Sequence, residues 1–427
     1  MMLRKFKPFA VLILLSLLCV GNLPAQGGNS ERTIKVVTYN MYLGADFADI
    51  FGAQSQAELV TEVAEAYSDM LAGNVPERID EIADQIAAGS PDVVGLQEVA
   101  LWRFGAPFDA SPATAVKYDF LDMLIKRLEA RGLSYAPVIV QTNLDAELPG
   151  VFSATEALDI RYTDRIAIIA RTDLNTSELK IEGSSSGNFA TNLPVTLLGT
   201  EILILRGWTA VDVKHRGKKY RFVNAHLESF YDPVQWAQAA ELLQGPTNVQ
   251  SPVILAGDFN SDAAAGGFSY QMFLANGFSD VWNSGGTSGP GMTWPLSGEI
   301  PSSFLIPDTR VDYILTRGPL TFSAADVLGE DPVADASPSG FRPSDHAGVS
   351  ASLILEPYKH SPHARDAAQP GWQPRAWDFL YVTVEWAGQQ VVVSRKNCRI
   401  AGLTSVLTFA RWLHLYRGIE LSPPVPG

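Results

Sequence analysis

Residues Ser251 to Asp262 read S-P-V-I-L-A-G-D-F-N-S-D. Val253 to Ala256 make an apolar run the length of one buried strand, and that strand delivers Asp258 and Asn260 to its C-terminal end. Strand alternation points these two side chains the same way, with Phe259 turned inward between them. D-x-N alone is common in turns, and its weight comes from repetition. Other apolar runs end in, or lead from, Asn40, Glu98, His226, Asp312, Asp345 and His346. Carboxylates and carboxamides without cysteine are hard oxygen ligands suited to Mg²⁺, Mn²⁺ or Ca²⁺ rather than to structural zinc. Two histidines beside them can donate hydrogen bonds to a phosphoryl group or exchange protons near neutral pH. The chemistry implied is metal-assisted phosphoester hydrolysis.

The elements that must position these residues follow from periodicity. Thr33 to Asn40 alternates as a strand, with Ile34, Val36 and Thr38 on one side and Val37 and Tyr39 on the other. Helices are predicted over Ala57 to Leu71, with Val60, Val63, Tyr67 and Leu71 in register, over Glu77 to Ala88, and over Lys117 to Ala130. D-V-V-G-L-Q-E-V is a strand that delivers Glu98. Further strands are predicted at Tyr135 to Gln141, Arg165 to Ala170, Val195 to Leu205, Trp208 to Val213 and Arg221 to Ser229, the last carrying Asn224 and His226 on one side. Residues 142 to 160 read as a loop on the side of the site, and Thr172 to Asn192, rich in Ser and Gly, as a surface loop. Strands alternating with helices, then strand-rich sequence, imply two sheets packed face to face with helices outside.

Composition bounds the setting. Residues 1 to 25 carry Arg4, Lys5 and Lys7, an apolar run from Phe9 to Val20, and Ala25 before a cleavage point, the pattern of a secretory signal peptide and of a secreted or periplasmic protein. Leu18 before Cys19 is bulkier than lipoprotein processing wants, and cleavage leaves Cys398 alone, so no intramolecular disulfide forms. The formal charge of −14 becomes −17 without the three early cations, which repels polyanions at long range. No later segment is apolar and long enough to span a bilayer, and a monomer is expected. From 357 to 427 the composition changes, with eight Lys or Arg against four Asp or Glu and four of the nine Trp. That tail reads either as a small β module around Phe379 to Val393 or as sequence not native to the domain, and it is expected to be dispensable.

The series T-Y-N-M, L-Q-E-V, N-A-H-L, G-D-F-N-S, V-D-Y-I-L and S-D-H-A-G-V, in this order, resembles the endonuclease/exonuclease/phosphatase superfamily. The resemblance covers about Thr33 to Leu355, taken as one catalytic domain over 33–356. It implies a four-layer α/β sandwich with the site at one edge of two central sheets. It also implies that Glu98 is the principal metal ligand, with Asn40 beside it and Asp345 completing the metal side. Asp258 would then orient or deprotonate the attacking water, Asn260 would hydrogen-bond the phosphate, and His346, oriented by Asp312, would stabilise the phosphoryl oxygens. His226 in N-x-H would favour protonation of the leaving group. The interval from Asn40 to Glu98 is longer than compact members need, because the helix at Ala57 to Leu71 looks inserted.

Plainer readings stand beside these. Asn40 could cap a turn, Glu98 could pair with a surface Arg, and Asp312 could be a buried acceptor; Trp102, Trp282 and Trp294 read as core or rim residues. Phe304-Leu305-Ile306-Pro307 is the one candidate for membrane insertion, with loop packing as its plainer reading. The expected substrate is a phosphodiester, either nucleic acid, phospholipid or a small phosphoester. The rival class is a catalytically silent binding protein on the same fold, against which the intact residue set argues.

Overall fold

The computed structural model describes residues 33–284, 287, 289–296 and 305–356, and the backbone of 381–386 and 389–394. The expected signal segment and most of the tail lie outside the described residues. In chain order the strands and helices are β1 (Thr33–Asn40), α1 (Ala48–Gly52), α2 (Gln56–Ala72), α3 (Val75–Gly89), β2 (Val93–Gln97), β3 (Leu101–Gly105), β4 (Ala115–Asp119), α4 (Phe120–Ala130), β5 (Tyr135–Ser153), β6 (Glu156–Arg171), β7 (Leu179–Asn188), β8 (Leu193–Leu197), β9 (Thr200–Ile204), β10 (Gly207–His215), β11 (Lys218–His226), α5 (Asp232–Gln244), β12 (Val253–Asp258), α6 (Phe268–Ala275), β13 (Ser279–Asp280), β14 (Asp312–Arg317), β15 (Leu320–Leu328), β16 (Gly348–Leu355), β17 (Tyr381–Trp386) and β18 (Gln389–Ser394).

One sheet runs β15-β16-β1-β2-β6-β3-β4, with β5 on β6, and the other runs β13-β14-β12-β11-β10-β7. Each is built around one parallel pair, β1 with β2 and β11 with β12, whose crossover carries helices. Thus β16-β1-β2-β6 and β10-β11-β12-β14 follow one plan, although no sequence repeat announces it. Alternation sorts the side chains into layers. Ile34, Val36, Val93 and Ile168 of the first sheet pack on Val211, Phe222, Ile254 and Ile314 of the second. Val37, Tyr39, Val94 and Leu96 face α2, α3 and α4, while Val223, Leu255 and Tyr313 face α5 and α6. The result is the expected four-layer sandwich.

Four local expectations are corrected. Residues 142 to 160 are not a loop but the distal part of the β5–β6 hairpin, where Arg161 and Arg103 pair with Asp145 at 2.6 and 3.1 Å. Charged cross-strand pairs replace the apolar alternation that marks a strand in sequence. Thr172 to Asn192 contains β7, an edge strand whose Ser- and Gly-rich half is largely exposed and bonded to β10. The third helix begins at Phe120, because Asp119 caps it by accepting Leu121 N and Asp122 N, leaving Lys117 in β4. In α2 the buried face is Leu59, Val63, Tyr67 and Met70, whereas Leu71 is 37% exposed.

Toward the edge where β1, β2, β11 and β12 end, the apolar layer between the sheets gives way to a polar one. Asn224 of β11 donates to Leu96 O at 3.0 Å and Ala167 O at 3.1 Å across the gap, and its Oδ1 accepts from Gln97 Nε2, which also reaches Thr38 Oγ1. All three of these polar side chains are fully buried, and Gln97 links the other two. Gly95 makes the approach possible, since a Cβ there would lie 2.8 Å from Asn224 Oδ1 and 2.9 Å from its Cγ. We expect Gly95→Ala to lose about 1–3 kcal/mol of unfolding free energy in urea, the usual range for overpacking a core. An unchanged midpoint would show that the sheets are free to move apart here.

Candidate functional site

Strand register assembles the site. Asn40 lies opposite Gln97, the residue before Glu98, in the β1–β2 pair. His226 lies opposite Asp258, and Asp258 opposite Asp312, so three candidate residues form one row across β11, β12 and β14. Asp345 and His346 stand just before β16, which is antiparallel to β1 and so starts at the edge where β1 ends. Gly257, at φ +155°, lets β12 close on β11 just before Asp258, because a Cβ there would fall 2.1 Å from Ala225 O.

Asn40 joins the two sheets. Its Nδ2 donates to Glu98 Oε1 at 3.1 Å and to Asp258 Oδ2 at 3.0 Å, while its Oδ1 accepts Tyr42 N at 2.9 Å. Glu98 Oε2 accepts Leu43 N at 2.8 Å. Asp312 Oδ2 meets His346 Nδ1 at 2.8 Å, and the other ring nitrogen of His346 points to Asp258 Oδ2 at 3.8 Å. His226 Nε2 lies 3.4 Å from the same Asp258 oxygen and 4.0 Å from Glu98 Oε1. Asn260 does not continue the strand as alternation implied. It turns to φ +49°, its N–H bonds Asp258 Oδ1 at 3.0 Å, and its Nδ2 bonds Leu227 O at 2.9 Å. One amide hydrogen is thereby committed to the backbone, and the short Asx turn keeps the residue at the site.

Burial and crowding of like charge set the proton affinities. Burial, reinforced by the Asp345 carboxylate, pushes Glu98 up to about 7. Burial, reinforced by Asp312, pushes Asp258 up to about 6. The histidines diverge. Burial lowers His226 well below its ordinary value, and Arg206 and His346 lower it further. Burial also opposes the charge on His346, but Asp312, Asp345 and Asp258 overcome it and hold the ring well above the ordinary value.

All eight candidate residues therefore come to one sheet edge, and none is a surface ion-pair partner. Sequence reasoning missed Arg206, in the turn between β9 and β10. Its Nη1 is 3.2 and 3.3 Å from the two ring nitrogens of His226, so it sits over the ring face rather than along one lone pair. Burial works against its charge, yet Glu228, Asp164, Glu98 and Asp258 hold its affinity above the ordinary value. A lone Arg between two apolar strands was the available signal. Of the tryptophans, Trp102 and Trp282 are core and Trp294 is a rim residue, 41% exposed and 6.4 Å from the His346 ring. Leu305 and Ile306 are exposed rather than packed, and Phe304 lies outside the described residues.

The donor set fits a hard divalent cation. Burial and neighbouring carboxylates raise the proton affinity of Glu98 and Asp258, and Asp312 Oδ1 is buried with no hydrogen-bond partner. Among the described residues, Asp258, Asp312 and His346 offer ligand atoms within 4.8 Å of one another. A cation bound to all three would compete with the bond between His346 and Asp312. Glu98 and Asp345 form the alternative anionic pair. Asn40 turns its amide nitrogen, not its oxygen, toward Glu98.

A sequence model of the Endonuclease/Exonuclease/phosphatase family matches residues 37–346. Similar solved structures include an endonuclease/exonuclease/phosphatase family protein from Bacteroides thetaiotaomicron, 18% identical over 76% of this chain and 98% of that one, with a TM-score of 0.48. A mannosyl-6-phosphatase from Bacteroides thetaiotaomicron is 18% identical over 75% and 99%, with a TM-score of 0.46. D. rerio TDP2 complexed with single strand DNA product is 18% identical over 75% and 98%, with a TM-score of 0.43. No curated protein matches the chain.

The opposite environments of the two histidines are measurable. In ¹⁵N spectra recorded across neutral pH, we expect His226 to remain neutral and His346 to remain charged, neither titrating. Asp312→Asn removes the nearest carboxylate and should bring His346 into the observable range. A His346 that titrates normally in the unmutated protein would contradict this arrangement.

Proposed function

The chain belongs to the endonuclease/exonuclease/phosphatase family, and from that premise we propose that it is a divalent-metal-dependent phosphoester hydrolase acting on phosphodiesters. The observation that carries the reading is the row His226, Asp258, Asp312 with His346 bonded to Asp312, facing Asn40 and Glu98 across the junction of the sheets. A binding protein that had lost activity would have little reason to keep so many costly buried charges together.

Glu98 and Asp345 would hold the cation, with Asn40 beside it; Mg²⁺, Mn²⁺ and Ca²⁺ all suit these oxygens. When bound, such an ion offsets negative charge on the phosphoryl group. Asp258 lies where it can accept a proton from water, and its contacts with Asn40 and Asn260 fix the carboxylate plane. Asn260 keeps one amide hydrogen for a phosphoryl oxygen. His346, held by Asp312, presents a charged N–H to the same group. His226 lies beside Asp258 and Glu98, where its neutral ring would hydrogen-bond the leaving group rather than protonate it, and Arg206 over its face adds the second cation of the site. Residues 33–356 form the catalytic unit in this reading, and the segment from Arg4 to Ala25 exports it.

The test is a screen of purified mature protein with Mg²⁺, Mn²⁺ and Ca²⁺ against plasmid DNA, RNA, sphingomyelin and a chromogenic phosphodiester. We expect chelation to abolish hydrolysis. Glu98→Ala should raise the half-activating metal concentration by at least about 10- to 100-fold, the loss typical of residues only one step removed from a metal. Full activity in chelator, or an unchanged metal curve in Glu98→Ala, would overturn the assignment.

A further inference from the structure

We propose that Trp102 is a positioning residue for Glu98, acting through Leu43; the inference rests on the reading of Glu98 as a cation ligand. Trp102, on β3, is 2% exposed, and its Nε1 donates to Leu43 O at 2.9 Å. Leu43 N in turn donates to Glu98 Oε2 at 2.8 Å. The two peptide groups flanking the Leu43 Cα are thus pinned, one by the indole and the other by the carboxylate. Asn40 fixes only the other oxygen of Glu98, so orientation of the carboxylate as a whole depends on where Leu43 is held.

The backbone on both sides of this contact is strained, which makes an external brace necessary. Tyr42 and Glu98 adopt φ of +59° and +52°, a region that residues with a side chain rarely occupy. The Glu98 corner is braced by Arg165, whose O accepts Val99 N and whose Nε donates to Val99 O, each at 2.8 Å. The Tyr42 side has Asn40 Oδ1 on its own strand end and the indole of Trp102 on Leu43.

The indole is itself held by an aromatic cluster. Tyr162 lies 5.0 Å from it, Phe47 5.8 Å and Tyr67 6.1 Å, centroid to centroid, and Phe152 packs edge-on against Tyr67 at 6.0 Å. Tyr67 comes from α2, one of the helices between β1 and β2. This helix therefore has a consequence at the site: it buttresses Trp102, and Trp102 fixes the loop that orients Glu98. Ligand orientation by a hydrogen-bonded neighbour is the general means by which a protein tunes a metal site.

The test measures Mn²⁺ binding to substrate-free protein by electron paramagnetic resonance, beside activity against metal concentration. Trp102→Phe deletes the donor and shrinks the ring. Replacement of Trp102 by β-(3-benzothienyl)alanine deletes the donor alone and preserves shape, so it answers the question even if Trp102→Phe folds poorly. Both should weaken Mn²⁺ binding about 10- to 100-fold, with most of the maximal rate regained at saturating metal and KM for the phosphodiester unchanged. Phe152→Leu, which loosens the same cluster without touching Leu43, should lower stability and leave Mn²⁺ affinity as it was. Normal affinity in the benzothienyl variant, or an equal loss in Phe152→Leu, overturns the positioning role. Failure of the unmutated protein to bind Mn²⁺ overturns the metal reading itself, and the proposal with it.

Discussion

Bringing carboxylates from two sheets to one buried edge is the constraint on which the rest of this structure depends. Glu98 and Asp345 come from the first sheet or its approaches, Asp258 and Asp312 from the second. Charges of one sign removed from water repel strongly and lose hydration. The fold answers with neutral donors and a few cations. Asn40 bonds one carboxylate of each sheet, His346 pairs with Asp312, and Arg206 lies among Glu228, Asp164, Glu98 and Asp258. Asn224, Gln97 and Thr38 continue the polar layer inward and bond the sheets to each other. Close approach at Gly95 is therefore as much a requirement of the site as of the core.

The same constraint separates the histidines. Both rings are buried and both approach Asp258, but burial and the Arg206 guanidinium hold His226 low, whereas Asp312, Asp345 and Asp258 together overcome burial at His346. Identical residue types thus acquire different protonation from their neighbours. The site holds one charged donor and one neutral ring on opposite flanks of Asp258, the first suited to a phosphoryl group that gains charge and the second to a hydrogen bond without proton transfer.

Much of this was legible in the sequence because it rests on local pattern. The eight site residues stand at or just beyond the ends of apolar strands, as a common edge requires. The layers followed from the alternation of Ile34 and Val36 against Val37 and Tyr39, and the structure keeps that division. What was illegible depended on long-range pairing. The distal β5–β6 hairpin is stabilised by Arg161 and Arg103 on Asp145, and β7 by its partner β10, so neither carries an apolar signature. The turn at Asn260 looked like strand continuation, because nothing local reveals that its amide bonds Leu227 O. Arg206 offered only the signal of a lone Arg between apolar strands, and nothing local marks Trp102, because each bonds a residue distant in the chain.

The central claim is that Asp312 and His346 work as one unit within a phosphoester-hydrolysing site. A double-mutant cycle on a chromogenic phosphodiester, with Asp312→Asn, His346→Ala and both together at saturating metal, tests it most directly. The account predicts that loss of His346 costs about 10²- to 10⁴-fold in rate and that adding Asp312→Asn costs little more. Losses that multiply would contradict it, because Asp312 would then act independently of the imidazole it holds.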